Sequence, residues 1–291
     1  MIGLLHLLQR NNKLFRRDRT QVFFSLLSVF IVLFLYILFL QKSQLDAIES
    51  MIPMTSGVKI LVNEWMVAGI LSIMGVTTTL GALGLYVRDR EEGVFLDLLT
   101  TPMRALQLQL SYVINAWIIG MAFSLIGLAL CEVFIVATGG DVLAFPAMLK
   151  VIGFLALGVT ASSAMNCVLI LFTNRQSSFS TLGTIVGTAI GFFCGVYVPI
   201  GVLPEFVQKI ITAFPISHYT SLLRQEMMGD SLETVFTEAV VRSEYEKIFG
   251  VVFEWQGGIL SSSMSISYLI FSIIVFLVLS LLLFKKQNHT Y

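Results

Sequence analysis

"VRDREEGVFLDLLTTP", residues Val87–Pro102, separates two long apolar segments of the chain. Its first part, 88–93, is almost entirely charged and ends in glycine, and a short apolar helical pattern follows. A residue that precedes proline is pushed away from the helical region of the backbone, so Thr101 should end this helix and Pro102 should begin the next one. The stretch therefore predicts a helix of roughly two turns held between two longer helices.

The amino-acid composition of the chain predicts the kind of protein in which this short helix lies. Hydrophobic residues make up 56% of the 291 residues and charged residues only 12%, with zero net charge. A soluble domain carries about 25% charged residues, so the chain is expected to be an all-α polytopic membrane protein, with no nucleic-acid partner. Runs of about 20 apolar residues can cross a bilayer. Six such runs predict six transmembrane helices in one transmembrane domain, 1–291: 22–40, 62–86, 108–137, 148–172, 180–199 and 266–284.

Lys and Arg residues set the predicted orientation, because the short cytosolic flanks of membrane helices are enriched in them. They cluster before the first span, between spans two and three, between four and five, and after six: Arg10, Lys13, Arg16, Arg17, Arg19, Arg88, Arg90, Arg104, Arg175, Lys285 and Lys286. Both termini and the 87–102 stretch are therefore expected in the cytosol. The segment 200–265 is expected to be extracytoplasmic, with short helices before span six. The first span has no small-residue cleavage site after it and is interpreted as a retained helix.

Two patterns predict helix surfaces. Residues 2–19 form an amphipathic pattern with basic residues towards its end, which is typical of a helix in the membrane interface. Small residues form one stripe in span five and a weaker one in span two, where helix backbones can approach closely. These stripes comprise Gly183, Gly187, Gly191 and Gly195, and Ser72, Gly75 and Thr79. Static packing and a moving interface both fit them.

The stretch 203–214 shows the spacing of an amphipathic helix and is too short to cross the bilayer. It can lie flat on the outer surface, or dip in where protein receives its backbone. We interpret it as an outer gate. The residues assigned to that gate are the surrounding prolines and the apolar face: Pro199, Pro204, Phe206, Ile210, Phe214 and Pro215.

Groups that could perform chemistry are scarce in the spans. Glu132 is the only carboxylate well inside a predicted span, and as a lone intramembrane acid it is a functional candidate by default. Pairing with Lys150 or with a polar group would make it structural. The chain has no nucleotide-binding phosphate loop, and no metal site is visible. The three cysteines lie in apolar segments and are expected to be free thiols: Cys131, Cys167 and Cys194.

Two stretches resemble the type-2 ABC transporter permease family: "YVRDREEGVFLDLLTTPMRALQLQLSYV", 86–113, and "GVYVPIGVLPEFVQKIITAFPISHYTSLLRQEMMG", 195–229. The resemblance implies that 88–101 is a coupling helix contacting a cytosolic ATPase, and that spans two and five line the translocation path. The implied coupling residues are Arg88, Arg90, Glu91, Glu92, Gly93, Phe95, Leu98, Leu99 and Pro102. Phe95 and Leu98 would fill a groove on the ATPase, and Glu91 and Glu92 would form charge pairs with it.

The same resemblance implies partners and an activity. Two ATPase subunits would hold ATP and Mg, while this chain binds no cofactor, is not itself an enzyme, and pairs with a second permease copy, identical or related. We expect an exporter of an amphipathic or hydrophobic substrate such as a drug, toxin, peptide or lipid-like molecule, in a bacterial plasma membrane. The alternatives are an ion-coupled secondary transporter and a permease for polysaccharide or ions. The insert 230–265 departs from the family pattern.

Overall fold

The computed structural model describes residues 2–49, 52–255 and 258–288. Nearly all of them are helical, and the helices lie at Ile2–Arg17 (α1), Arg19–Leu35 (α2), Gln41–Glu49 (α3), Ser56–Glu91 (α4), Val94–Leu99 (α5), Ala105–Ala137 (α6), Phe145–Ile170 (α7), Gln176–Phe193 (α8), Glu205–Thr212 (α9), Pro215–Met227 (α10), Gly229–Val235 (α11), Ala239–Ile248 (α12) and Ser262–Asn288 (α13). A π-helical segment, Tyr36–Leu40, joins α2 to α3, and a 3-10 turn, Ile200–Val202, precedes α9. Two short antiparallel strands, Glu254–Trp255 (β1) and Gly258–Ile259 (β2), precede α13. The chain is thus an all-α protein, as predicted.

Four helices of the described chain are long and apolar enough to cross a bilayer: α4, α6, α7 and α13. The predicted first span corresponds to α2, which has only 17 α-helical residues before the π-helical segment. The predicted fifth span corresponds to α8, whose first turn is polar because it carries Gln176, Ser177 and Ser178. The count of six spans therefore stays a prediction.

Helix α4 is the centre of the bundle and packs against α6, α7, α8 and α10. Small residues bring these backbones together: a Cβ atom at Gly120 of α6 would collide with Thr79, and one at Gly158 of α7 would collide with Tyr219. Asn166 of α7 donates hydrogen bonds of 2.9 Å to the Val76 carbonyl and to Thr79 Oγ1. Because an unpaired amide inside the membrane is costly, these bonds fix the register of α7 on α4.

Helix α1 ends at Arg17, just short of the predicted limit at residue 19, and lies along α6. Three positions one turn apart face inward and are buried: Leu7, Asn11 and Phe15. Asn11 donates a 3.2 Å hydrogen bond to Ser111 Oγ, and the Phe15 ring meets Phe123 edge-on at 6.0 Å between ring centres. The inward face of this amphipathic helix therefore packs against the bundle.

The segment 200–265 is more deeply built into the protein than its polar composition suggests. Almost every residue of α10 is buried, including Ser217, His218 and Arg224. His218 contacts the Thr212 carbonyl at 2.7 Å and Ser265 Oγ at 3.2 Å. Since α10 packs on α4, α7 and α13, this part of the segment belongs to the core rather than to an external loop.

Candidate functional site

The predicted coupling helix exists as α5, and glycine makes its start possible. Gly93 has φ of 79°, a left-handed conformation that separates the end of α4 from α5. The hydroxyls of Thr100 and Thr101 cap the other end by donating to the carbonyls of Asp97 and Leu98 at 2.7 and 2.6 Å. Two sharp turns therefore hold this helix between α4 and α6.

The prediction that Pro102 begins the following helix is wrong. Pro102 lies exposed in a bend, and α6 begins only at Ala105. The side chain of Gln107 accepts a 3.1 Å hydrogen bond from the Arg104 backbone N–H and so caps α6. This glutamine, one turn inside the helix, therefore caps α6 in place of a proline start.

Phe95 faces inward, contrary to the prediction that it fills a groove on a partner. It is buried, and its ring meets Tyr86 of α4 at 5.4 Å and Phe284 of α13 at 6.1 Å, both edge-on. Tyr86 in turn meets Tyr112 of α6 at 5.4 Å. This aromatic cluster of Tyr86, Phe95, Tyr112 and Phe284 attaches α5 to three membrane helices.

The surface that α5 presents outward is therefore different from the predicted one. Leu96 is 50% exposed, and Asp97 and Glu92 are also exposed, whereas Leu98 and Leu99 are half-buried against the core. Glu91 accepts a 2.8 Å hydrogen bond from the backbone N–H of Gln176 and so caps α8. Arg90 donates to the Tyr86 hydroxyl at 3.2 Å, and Arg88 is half-exposed beside a cleft towards α8.

An ion pair between half-buried Arg10 and buried Asp89 attaches α1 to the same region. Arg10 donates two hydrogen bonds to Asp89, at 2.7 and 3.1 Å, and the Tyr112 hydroxyl donates a third at 2.6 Å. The Asp89 carboxylate raises the pKa of the Arg10 guanidinium above its usual value. Since Asp89 is 2% exposed, separating this pair would leave a buried charge unpaired. The sequence interpretation missed Asp89, although it lies one helical turn after Tyr86 and on the same face.

The predicted small-residue stripes have different environments. Ser72 and Thr79 are fully buried, and a Cβ atom at Gly75 would meet Tyr219 and Val159 at 3.6 Å, so the α4 stripe packs inside the bundle. A Cβ atom at Gly183 or Gly187 of α8 would meet nothing within 4 Å. The half-exposed residues of α4, at positions four apart, are instead Ile73, Thr77 and Gly81.

The uncovered face of α8 is rich in hydroxyl groups. Ser177, Ser178, Thr181, Thr184 and Thr188 are exposed there, together with Ile185 and Phe192. The three threonine hydroxyls donate to backbone carbonyls one turn earlier, at 2.9 to 3.1 Å. The face therefore offers methyl groups and oxygen acceptors, a mixed surface that suits an amphipathic solute or a second protein helix better than it suits lipid chains.

A fully buried arginine ties the outer end of α8 to the outer segment. Arg224 donates to the Cys194 carbonyl at 2.8 Å and to the Phe249 carbonyl at 3.0 Å, and its guanidinium lies 4.6 Å from the centre of the Trp65 ring. Gly195 and Gly250 follow these carbonyls with left-handed φ values of 61° and 63°. The C-terminal ends of α8 and α12 carry partial negative charge, so two helix ends take the place of a carboxylate partner.

The predicted gate residues divide between the surface and the core. Phe206 is 67% and Ile210 is 53% exposed on α9, whereas Phe214 stacks on Phe193 of α8 at 4.3 Å. Pro199 precedes the 3-10 turn, Pro204 precedes α9, and Pro215 is the buried first residue of α10. Each proline thus marks a change of chain direction.

Glu132 lines a cavity of about 210 Å³ at the outer end of α4 and α6, together with Glu64, Glu226 and Asp230. It accepts a 3.1 Å hydrogen bond from the Leu143 backbone N–H. Lys150 pairs with Glu226 at 2.9 Å instead. The pairing of Lys150 with Glu132 that the sequence suggested is therefore not formed.

A family model described as "ABC-2 type transporter" matches residues 3–228 of the chain. The chain belongs to the ABC-2 type transporter family. It is therefore a multi-pass membrane permease of an ABC transporter, a family whose members work with ATPase subunits. The match ends with α10, so the segment from α11 to α13 lies beyond it. A search among curated proteins finds no match to the chain.

Proposed function

We propose that this ABC-2 permease is the membrane subunit of an ATP-driven exporter. Two copies of the chain, or one copy and a related chain, would assemble with two cytosolic ATPase subunits that hold ATP and Mg. Closure of the ATPases would push on α5, and alternating access would move an amphipathic or hydrophobic substrate out of the cell. Drugs, toxins, peptides and lipid-like molecules belong to that class.

One observation carries the coupling part of this proposal: α5 is firmly attached to the bundle while one side of it stays uncovered. Phe95 packs on residues of α4 and α13, and Gly93 and the Thr100–Thr101 pair hold its ends. Displacement of a helix seated in this way is transmitted to the membrane helices, because packed interiors resist compression. Leu96 and Asp97 on the exposed side would then meet the ATPase.

The proposal that α8 lines the translocation path rests on the chemistry of its uncovered face. A face of threonines and open glycines would be poorly matched to lipid but suits a cavity between two copies. Methyl groups and oxygen acceptors alternate along it. This favours a substrate with both apolar surface and hydrogen-bond donors.

Co-purification tests the coupling proposal. The chain would be co-expressed with the ATPase candidates of its host, and Leu96→Asp compared with Val240→Asp, a matched change at a residue of α12 that is 78% exposed on the outer segment. Leu96→Asp should abolish both co-purification and substrate-stimulated ATP hydrolysis, while Val240→Asp should leave both intact. Full co-purification of the Leu96→Asp protein would contradict the assignment of α5 as the ATPase contact.

An ion-coupled carrier remains the second candidate because of the acidic cavity around Glu132 and Glu64. Reconstitution in liposomes separates the two. Transport driven by an ion gradient in the absence of nucleotide and of any ATPase would favour the carrier, and transport that requires ATP and the ATPase would favour the exporter.

A further inference from the structure

Helix α1 has a basic flank that its contact with α6 does not use. Its inward face is occupied by Leu7, Asn11 and Phe15. On the adjacent flank a groove of about 770 Å³ opens between α1 and α6. Leu5 and Leu8 of α1 and Ile118 of α6 form its apolar floor, and the side chains of Lys13, Arg16 and Arg17 form its rim.

The rim carries three positive charges that have no ion-pair partner among the described residues. Lys13, Arg16 and Arg17 are all exposed. No carboxylate is among the described residues that line the groove, and Asp18, which follows Arg17, lines a different cleft. The cationic rim therefore lacks a counter-charge from the described part of the protein.

The position of the groove matches the inner edge of the bilayer. Arg16 and Arg17 directly precede α2, the predicted first span. Ile118 lies within α6, whose 33 residues exceed the length that a bilayer core requires. The three basic side chains thus lie next to the start of the predicted first span, and Ile118 brings an apolar side chain of α6 to the same groove.

We propose that this groove binds an anionic phospholipid of the inner leaflet. The phosphate and any further headgroup charge would lie among Lys13, Arg16 and Arg17, and one acyl chain would lie on Leu5, Leu8 and Ile118. A zwitterionic lipid carries no net charge and would leave the positive charge of the rim unneutralised. A soluble anion would leave the apolar floor uncovered, so a molecule that combines both features fits best.

A bound lipid would hold α1 against α6 and so support the Arg10–Asp89 pair. The proposal requires that the chain lies in a membrane with α1 on the inner side, as the sequence predicts. It does not depend on the direction of transport or on the substrate.

The test measures lipid retained by the purified chain. Protein would be reconstituted in nanodiscs of phosphatidylcholine with a minor share of phosphatidylglycerol, extracted in mild detergent, and its bound lipids quantified by native mass spectrometry. Wild type should retain phosphatidylglycerol well above its share in the membrane. Each basic residue near an anionic surface contributes roughly fivefold in affinity, so Lys13→Gln/Arg16→Gln/Arg17→Gln should weaken retention by roughly a hundredfold.

Two further variants separate a site from a general positive field. Arg175→Gln/Lys285→Gln/Lys286→Gln removes as much charge from the same predicted side of the membrane, at residues that do not line the groove, and should retain lipid like wild type. Ile118→Trp fills the floor while keeping all three charges, and should reduce retention at least tenfold. It also keeps the test valid if the triple groove variant does not insert.

Several results would overturn the proposal. Retention of phosphatidylglycerol in proportion to its share in the membrane would mean that no anionic lipid is selected. Equal losses in the two triple variants would mean a diffuse field, and unchanged retention by Ile118→Trp would mean headgroup attraction without a groove.

Discussion

Helices α8 and α13 both leave a wide face uncovered, but the two faces differ in chemistry. On α13 the exposed residues are large and apolar, among them Phe271, Ile274, Val278 and Leu282. On α8 they are mostly Ser and Thr, with glycines beside them. A face of α13 that is apolar from Ile270 to Leu282 suits lipid chains, whereas the α8 face suits protein or a solvated cavity. A face that is exposed in the single chain can therefore contact either lipid or protein in the membrane, and its side-chain chemistry distinguishes these two environments.

The largest effect should come from placing the same charge on both faces. Ile274 of α13 is 55% exposed and Ile185 of α8 is 61% exposed, so the two positions are matched. Ile274→Arg should cost about 3 kcal/mol of insertion free energy, because arginine is unfavourable near the centre of a bilayer. Membrane-fraction immunoblots should show a marked loss for Ile274→Arg and near-normal amounts for Ile185→Arg. Equal losses would mean that α8 also faces lipid.

Removal of Arg224 should release the outer end of α8. Arg224→Met keeps the volume but leaves the Cys194 carbonyl without its donor, whereas the Phe249 carbonyl keeps the 2.7 Å bond from Trp65 Nε1. Each buried acceptor left unpaired costs about 1–3 kcal/mol, so we expect a loss of about 2 kcal/mol in thermal unfolding. Ser267→Ala on α13, which removes one exposed hydroxyl bonded within its own helix, serves as the control. An unchanged melting temperature for Arg224→Met would mean that the two helix ends are held by other contacts.

Substitutions at two glycines of α8 distinguish packing within one chain from packing between two copies of the chain. A side chain at Gly191 would collide with Tyr197, so Gly191→Leu should lower the stability of the isolated chain by about 2 kcal/mol. A side chain at Gly187 has open space in the single chain. Gly187→Leu should therefore leave the melting temperature unchanged and reduce transport in the assembled complex. Normal transport by Gly187→Leu would place this face of α8 in lipid.

The smallest effect is expected on α9, whose exposed face resembles that of α13. Phe206→Ser should change stability in detergent by less than about 0.5 kcal/mol, since the ring is mostly exposed. Its environment can be measured with cysteines. Phe206→Cys should resist a bulky membrane-impermeant reagent that labels Glu205→Cys readily, because Glu205 pairs with Lys209 on the exposed polar side at 2.8 Å. Equal labelling would show a free external helix and would remove the gate interpretation.

The sequence predicts the helical segments and the short α5 well, because apolar length and the breaks at Gly93 and Pro102 are local signals. It does not predict which side of α5 faces inward. Val94, Phe95, Leu96, Leu98 and Leu99 leave little contrast between faces in six residues, and the side that is buried is decided by Phe284, far along the chain.

The burial of α10 was equally inaccessible to pattern analysis. Its Ser, His and Arg residues indicate a surface helix, yet Arg224 is fully buried. The groups that stabilise it are backbone carbonyls of Cys194 and Phe249. Backbone acceptors carry no residue signature, so only the three-dimensional arrangement of two helix ends reveals the site.

The position of Phe284 in the aromatic cluster has a consequence for biosynthesis. Phe95 is synthesised long before Phe284, so α5 lacks the contact with the Phe284 ring while the later helices are inserted. The aromatic cluster that holds α5 is complete only when α13 has packed against α7. An ATPase subunit that recognises the seated helix would accordingly select fully synthesised permeases over nascent or truncated ones.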